Sequence, residues 1–431
     1  MKYLVTKTDK LNGTVTIPGN KSGTARALLL GAIADGETKI INPLQNIDSY
    51  SIINMLRLLG AEINTSDSTL WKVKGVNGKF SQPKNVLDAG NSGTGYYMVT
   101  ALATLLDSKS VISGDYQICY RPAGPLVDAL NQMGAKCFST RNNGLSPLVL
   151  EGKLKGGKAT LPNNNSQWLT PLLVACSLSE NDSEITITGG VMMEKPYINM
   201  TIGMLKQVGI NIVHDNYQKY YVKGNQHFNA TTFTIPGDWG SSGYPMIATA
   251  ITNSCATFLN LNQNDHAGER AYVDILRNAG ASVEIIQDGV KVQGSKELIG
   301  QVIDCSGTPD AVPILAVLGC ASKGKTVLNN IGASRLKETD RTAIIKKELE
   351  KMGGKFEETK DSLTIYESKL HGAFIDGHHD HRIVMATTIA ALISEGPTII
   401  DNAEYVGVSY PNFYETIKYL GANIERLETI K

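Results

Sequence analysis

The chain has 431 residues, more than one ordinary hydrophobic core accommodates, so its length predicts two or more domains. Hydrophobic content of 42% and charged content of 19% fit a folded protein, and 41 basic against 41 acidic residues leave no net field for nucleic acid. The opening MKYLVTKTDKLNG lacks an apolar signal core, no apolar run spans a bilayer, and six scattered cysteines without a CxxC pair read as thiols of a reducing compartment, so the expectation is a cytoplasmic protein with no membrane partner.

Taken in chain order, two kinds of helix alternate. The run RALLLGAIA from Arg26 is apolar nearly all round and predicts a buried helix; the strand DGETKIINP (Asp35–Pro43) follows, then the amphipathic stretch MLRLLGAEI (Met55–Ile63). Alternation in TLWKVKG (Thr69–Gly75) supplies a hairpin strand. The same succession returns with TGYYMVTALATLL from Thr94 and ALNQMGAKC (Ala129–Cys137), then with SQWLTPLLVACSL from Ser166 and MLKQVGINI (Met204–Ile212). TFTIPGDWGSS (Thr232–Ser242) opens a fourth unit, with SGYPMIATAIT from Ser242, ILRNAGASV (Ile275–Val283) and the hairpin tract DGVKVQG (Asp288–Gly294). DAVPILAVLGCA from Asp310, the strand KGKTVLNN (Lys323–Asn330) and ELEKMGGKF (Glu348–Phe356) make the fifth. HRIVMATTIAALI from His381, EGPTIIDN (Glu395–Asn402) and TIKYLGANI (Thr416–Ile424) make the sixth. Gly60, Gly134, Gly209, Gly280, Gly353 and Gly421 recur at a period of roughly 70 residues, each where a helix end needs a left-handed residue. One supersecondary unit is therefore used six times, three per half.

Polar residues gather just before the buried helices: Lys21, Ser22 and Arg26; Gly90–Thr94; Asn163–Gln167; Gly237–Ser242; Gly307–Asp310; and His378–Arg382. A helix N-terminus offers unpaired N–H groups and about half a positive charge, so these positions suit an anionic small molecule. Ordinary N-capping explains Ser, Asn and Asp at any one of them. Two further segments fit such a cleft, Gly114–Pro122 and Arg335–Arg341, the latter offering cations to clamp anions and a carboxylate for proton transfer. The cluster Gly377–His381 is not read as a metal site, because adjacent histidines point apart and no second cluster completes it.

These motifs in this order resemble the enolpyruvyl (carboxyvinyl) transferases, nearest to the branch acting on shikimate 3-phosphate. The carrying residues are PGNKSGTARALLL (Pro18–Leu30), GNSGTG (Gly90–Gly95), RPAGPLVDAL (Arg121–Leu130), NSQWLTPLL (Asn165–Leu173), KPYI (Lys195–Ile198), PDAVPILA (Pro309–Ala316), LKETDR (Leu336–Arg341), DHRIVMA (Asp380–Ala386) and VSYPNF (Val408–Phe413). The resemblance implies an α/β fold, the two-domain inverse α/β prism, with three βαβαββ units per domain. It implies domains of residues 1–20 plus 237–431 and 21–236, a hinge near Lys21 and Pro236, and a monomer. The implied reaction moves the carboxyvinyl group of phosphoenolpyruvate to the 5-hydroxyl of shikimate 3-phosphate, releasing phosphate, with no metal or organic cofactor. By motif position Asp310, Glu338 and Lys21 are the implied catalytic residues. Lys21, Gly93, Arg121, Arg341, His381 and Arg382 would bind phosphoenolpyruvate; Ser22, Arg26, Asn165, Ser166, Gln167, Asp310 and Lys337 would bind the acceptor.

The chain departs from the family pattern at several positions. Tyr97 stands where an arginine is usual, Cys119 where a basic residue is frequent, Asn165 for the first serine of an SSQ motif, Glu194 for the serine before KPYI, and Val408 where some members carry lysine. A carboxylate about 4 Å from a phosphate is unfavourable by roughly 1 to 4 kcal/mol, so Glu194 either turns away, pairs with a cation, or marks a different acceptor. Two alternatives stay open at this point: a carboxyvinyl transferase for another acceptor, and a non-catalytic binder of phosphate esters.

Overall fold

Six helix pairs run along the described residues, 1–427 of the computed structural model: α1 (Lys21–Ile33) and α2 (Ile47–Leu58); α3 (Gly93–Ala103) and α4 (Gly124–Gln132); α5 (Ser166–Leu178) and α6 (Lys195–Gln207); α7 (Trp239–Ile251) and α8 (Tyr272–Asn278); α9 (Val312–Ala321) and α10 (Arg341–Lys351); α11 (His381–Ala391) and α12 (Phe413–Tyr419). The first helix of each pair is buried nearly all round, as its unbroken apolar run requires. The second ends at the recurring glycine, whose φ is +105, +96, +91, +101, +91 and +107° at Gly60, Gly134, Gly209, Gly280, Gly353 and Gly421. At all six ends the residue after the glycine donates its N–H to the carbonyl five residues back, as Ala61 does to Leu56 and Ala422 to Ile417, so the motif satisfies the orphan carbonyls in the same way each time.

Three helices start elsewhere than the apolar runs suggest. The first begins at Lys21, not Arg26, because the Asn20 side chain caps the Gly23 N–H at 2.6 Å. Asp238 caps Gly240 and starts α7 at Trp239, ahead of Ser242. The fifth run opens with a 3-10 turn, Pro309–Ala311, and becomes α-helical only at Val312. Hydropathy marks the first apolar side chain, whereas the cap fixes where the backbone turns helical.

Among the described residues six four-stranded sheets share one order, a parallel pair and then an antiparallel pair; in five the antiparallel pair has its later strand inside, and in the sixth Lys2–Val5 takes that inner place. One such sheet is Leu87–Asp88, Lys109–Ser113, Leu148–Glu151, Lys136–Ser139; another is Gly157–Pro162, Ser183–Thr188, Lys219–Val222, Ile212–Asp215. Each is the sheet of one βαβαββ unit. Buried residues alternate along the strands, as in Ser183–Thr188, so one face of each sheet covers helices.

The chain divides into two compact units, Gly19–Ile235 and Met1–Pro18 with Pro236–Lys431. In Gly19–Ile235, α1, α3 and α5 pack together around a core that includes Leu28, Leu29, Tyr96 and Leu173. Its remaining sheet is closed by Thr232–Thr234, which lies parallel to Glu37–Ile41 with Phe233 opposite Ile40. In the other unit α7, α9 and α11 pack together, with Ile314, Leu315, Val384 and Ile389 fully buried. Its sheets take two strands from the chain start: Asn12–Thr16 runs parallel to Cys255–Leu259, and Lys2–Val5 lies antiparallel between Thr398–Ile400 and Ile424–Leu427. No helix among the described residues is long and apolar enough to cross a membrane.

Candidate active site

In Gly19–Ile235 the polar side chains collect at the starts of α1, α3, α5 and α6. Lys21, in the first turn of α1, pairs with the buried carboxylate of Asp48 in the first turn of α2, at 2.9 Å. Arg26, one helical turn on, is 4% exposed; its Nε donates to Thr201 Oγ1 at 2.9 Å and its Nη1 to the Ser22 carbonyl at 3.1 Å. Burial lowers the Arg26 guanidinium to about 10, against the opposing pull of Tyr197 and Glu194. Thr201 also meets Thr170 of α5 at 3.2 Å, which ties Arg26 to the helix that starts at Ser166. There Asn165 caps the Gln167 N–H at 2.9 Å, and Gln167 Nε2 reaches Thr94 Oγ1 at 3.3 Å.

Gly93, the first residue of α3, lies directly against Arg121: a Cβ at Gly93 would sit 1.8 Å from Arg121 Nη1. Only glycine leaves room there for both the helix start and a buried guanidinium. The turn carrying Arg121 is held by its neighbour Pro122, whose carbonyl accepts from Trp168 Nε1 and from Tyr97 Oη, both at 3.0 Å. Tyr97 thus supports the Arg121 turn from the position where an arginine was expected. Glu194 does not turn to solvent: it is 1% exposed and its carboxylate accepts the Ser166 N–H at 2.7 Å.

In the other unit Arg341 is the hub. Its side chain is 1% exposed, and the guanidinium binds Asp380 through Nε at 2.8 Å and Nη2 at 3.2 Å, Asp310 through Nη1 at 2.8 Å, and Glu338 through Nη2. Arg382 Nη2 approaches the second Asp310 oxygen at 3.6 Å while its Nη1 donates to the Gly240 carbonyl at 2.8 Å, and Lys337 Nζ lies 3.9 Å from Asp310. Burial pushes the Asp310 carboxyl up, but Lys337, Arg341 and Arg382 together outweigh it and hold Asp310 at about 2. At neutral pH Asp310 is an ionised acceptor. Asp380 caps α11 through the Arg382 N–H at 2.9 Å and also accepts from Thr339. His381 Nδ1 is 3.7 Å from Asp380, His378 Nε2 reaches Glu348 at 2.9 Å, and the His379 ring rests on Tyr405, so the three histidines face three different partners.

The structure therefore joins Asp310, Lys337, Glu338, Arg341 and Arg382 through direct contacts, with His381 beside their common partner Asp380. It separately joins Ser22 to Arg26 and Gly93 to Arg121. Sequence reasoning missed Asp48, Thr201 and Glu269, and gave Asp380 no role of its own. Asp380 stood beside His381 and Arg382 and could have been found there. Glu269, in the 3-10 turn Gly268–Ala271, is buried; burial first, then Asp310, raise its carboxyl to about 7, with Arg382 opposing. Nothing local in the sequence marks it.

A family model described as EPSP synthase (3-phosphoshikimate 1-carboxyvinyltransferase) matches residues 5–417. The 3-phosphoshikimate 1-carboxyvinyltransferase of Acetivibrio thermocellus is 40% identical over 425 residues, covering 99% of this chain and 100% of that protein. That of Methanococcus maripaludis strain C7 is 40% identical over 429 residues, covering 98% and 99%. Among solved structures, EPSP synthase from Acinetobacter baumannii superposes with a TM-score of 0.83 at 27% identity, covering 98% of this chain and 99% of that one. The enolpyruvyl transferase NikO from Streptomyces tendae shares the fold, with a TM-score of 0.81 at 16% identity and 99% of each chain covered.

Proposed function

The chain belongs to the EPSP synthase family, and from that premise we propose which of its residues carry the reaction. The reaction is the transfer of the carboxyvinyl group of phosphoenolpyruvate to the 5-hydroxyl of shikimate 3-phosphate, with release of phosphate, in the shikimate pathway to aromatic amino acids. The methylene carbon of phosphoenolpyruvate must gain a proton and become a methyl group, C2 must accept the hydroxyl oxygen as the hydroxyl gives up its proton, and the tetrahedral adduct must then lose phosphate from C2 and a proton from that methyl group.

One observation supports the assignment above the others: a single buried guanidinium, Arg341, holds both acid/base candidates, Asp310 and Glu338, with Asp380 bracing its far side. A carboxyl held at about 2 is a poor proton donor, so Asp310 accepts from the 5-hydroxyl and orients its oxygen, and the proton for the methylene comes from Glu338. Lys21, Gly93, Arg121, Arg341, His381 and Arg382 hold phosphoenolpyruvate, and cations among them stabilise the departing phosphate. Lys21 is assigned a catalytic share through that charge. Ser22, Arg26, Asn165, Ser166, Gln167 and Lys337, with Asp310, hold the acceptor. At least four of the five Arg341 N–H donors go to carboxylates, so its main part is to place them.

We take the protein as a cytoplasmic monomer; six free thiols support the reducing compartment. The test is phosphate release from phosphoenolpyruvate with and without shikimate 3-phosphate. Acceptor-dependent release, falling about 10²- to 10⁴-fold in Glu338→Gln while shikimate 3-phosphate still binds, is the expected result. Undiminished turnover in Glu338→Gln would sink the assignment of the proton donor.

A further inference from the structure

Glu194 immediately precedes α6, yet its side chain serves a different helix. It makes no capping bond to α6; its carboxylate instead accepts the Ser166 N–H at 2.7 Å at the start of α5. The residue is 1% exposed and its backbone is left-handed, φ 55° and ψ 36°. Most described non-glycine residues with positive φ are asparagines, which tolerate that region, and Glu194 is the one acid among them. The carboxylate also attracts the buried Arg26 guanidinium. A carboxylate that is out of water, on left-handed backbone, bonded to a helix N-terminus and attracting an arginine provides what a bound anion would provide there.

We propose that Glu194 is a resident anion on the acceptor-holding end of α5, and that an anionic group of shikimate 3-phosphate binds by displacing it. The inference rests on reading Arg26, Asn165, Ser166 and Gln167 as acceptor-holding residues. Two negative groups cannot share the Ser166 N–H, and like charges about 4 Å apart repel. The exchange therefore favours a ligand group that gains more from Arg26 and the helix end than a single carboxylate does. A phosphate, with nearly two charges and three acceptor oxygens, meets that requirement. Glu194 thus sets a threshold that admits the phosphorylated acceptor and keeps the arginine neutralised between turnovers.

The test compares Glu194→Asn, which keeps a side chain suited to left-handed backbone but removes the charge, with the near-isosteric Glu194→Gln. Both should lower the KM for shikimate 3-phosphate by roughly 5- to 10-fold and leave that for phosphoenolpyruvate within about twofold. A merely structural carboxylate would move stability without this split between the two substrates. An unchanged or raised KM for shikimate 3-phosphate in folded Glu194→Asn overturns the inference. Arg26→Lys separates this from the reading beneath it. If Arg26→Lys raises the acceptor KM while Glu194→Asn does nothing, only the resident-anion inference fails. If Arg26→Lys also leaves the acceptor KM unaltered, the acceptor assignment fails and takes the inference with it.

Discussion

Arg341 gathers three carboxylates, Asp310, Glu338 and Asp380, and Arg382 and Lys337 flank Asp310 from other directions. Three cations thus face three anions with little water to screen them, so removing one partner is costly in a way that a surface pair is not. Arg341→Ala should destabilise the protein by about 3–5 kcal/mol and abolish turnover, read from urea unfolding and phosphate release. Arg341→Lys, with charge but no fork, should restore part of the stability and little of the activity. Asp310 carries its own pH signature. Its folded value of about 2 lies below the ordinary 3.8, so its stabilising share is full above that ordinary value and is lost as pH falls through about 2. That share is about 2 kcal/mol, and Asp310→Asn should flatten the stability slope between about pH 4 and pH 2. At this scale Asp310, Glu338, Arg341 and Arg382 were legible through the motifs PDAVPILA, LKETDR and DHRIVMA, which carry the family resemblance. Asp48 and Thr201 were not legible: each is remote in sequence from the cation it serves, and only folding shows the pairing.

Five of the six buried helices begin in one of two styles, and α9 follows a 3-10 turn with no side-chain cap. In Gly19–Ile235 the caps of α1, α3 and α5 are neutral, Asn20, Ser92 and Asn165. In the other unit α7 and α11 are capped by the acids Asp238 and Asp380. Neutral caps satisfy one N–H and leave the positive end of the dipole open to a further anion, as the Glu194 carboxylate uses it at α5; acidic caps consume it, and there Arg341 and Arg382 supply the positive charge instead. Capping and anion binding, rivals in the sequence, are thus compatible at one helix end. The starts were misplaced by up to five residues for the reason given above, whereas the ends were readable because a left-handed glycine has no substitute of equal cost. Gly280 tests this: its φ is +101° and the nearest atom to an added Cβ lies 3.6 Å away, so Gly280→Ala meets conformational strain with no clash. It should cost roughly 1–2 kcal/mol and lower the melting temperature accordingly. Gly407→Ala, with no positive φ and nothing within 4 Å, should stay within about 0.5 kcal/mol.

For the whole molecule the decisive fact is where the strands that close each unit come from. Gly19–Ile235 is continuous in sequence, and its last strand, Thr232–Thr234, completes a sheet begun at Glu37–Ile41. The other unit needs both chain ends: Tyr3 pairs with Arg426 and with Ile400, and Tyr3 and Val5 are fully buried. Contacts of such sequence separation carry the largest loop-closure cost, so the continuous unit should fold first and independently. The sixfold glycine period revealed the repeats, whereas the asymmetry was an expectation of the family resemblance alone, since four- and five-residue strands at a chain start carry no periodic signal of their own. Residues 19–235 produced alone should therefore melt cooperatively, with Trp71 and Trp168, both buried in that unit, reporting a single fluorescence transition. Because Ser22, Arg26, Asn165, Ser166 and Gln167 all lie within it, shikimate 3-phosphate should raise that melting temperature and phosphoenolpyruvate alone should raise it less. Deleting residues 1–18 from the full chain should do the converse. It would remove an inner strand from one sheet and an edge strand from another, and leave the transition reported by Trp239 broad or absent while that of Trp71 and Trp168 persists. A deletion that leaves the Trp239 transition sharp would mean that the unit of Pro236–Lys431 holds together without the strands that now complete it.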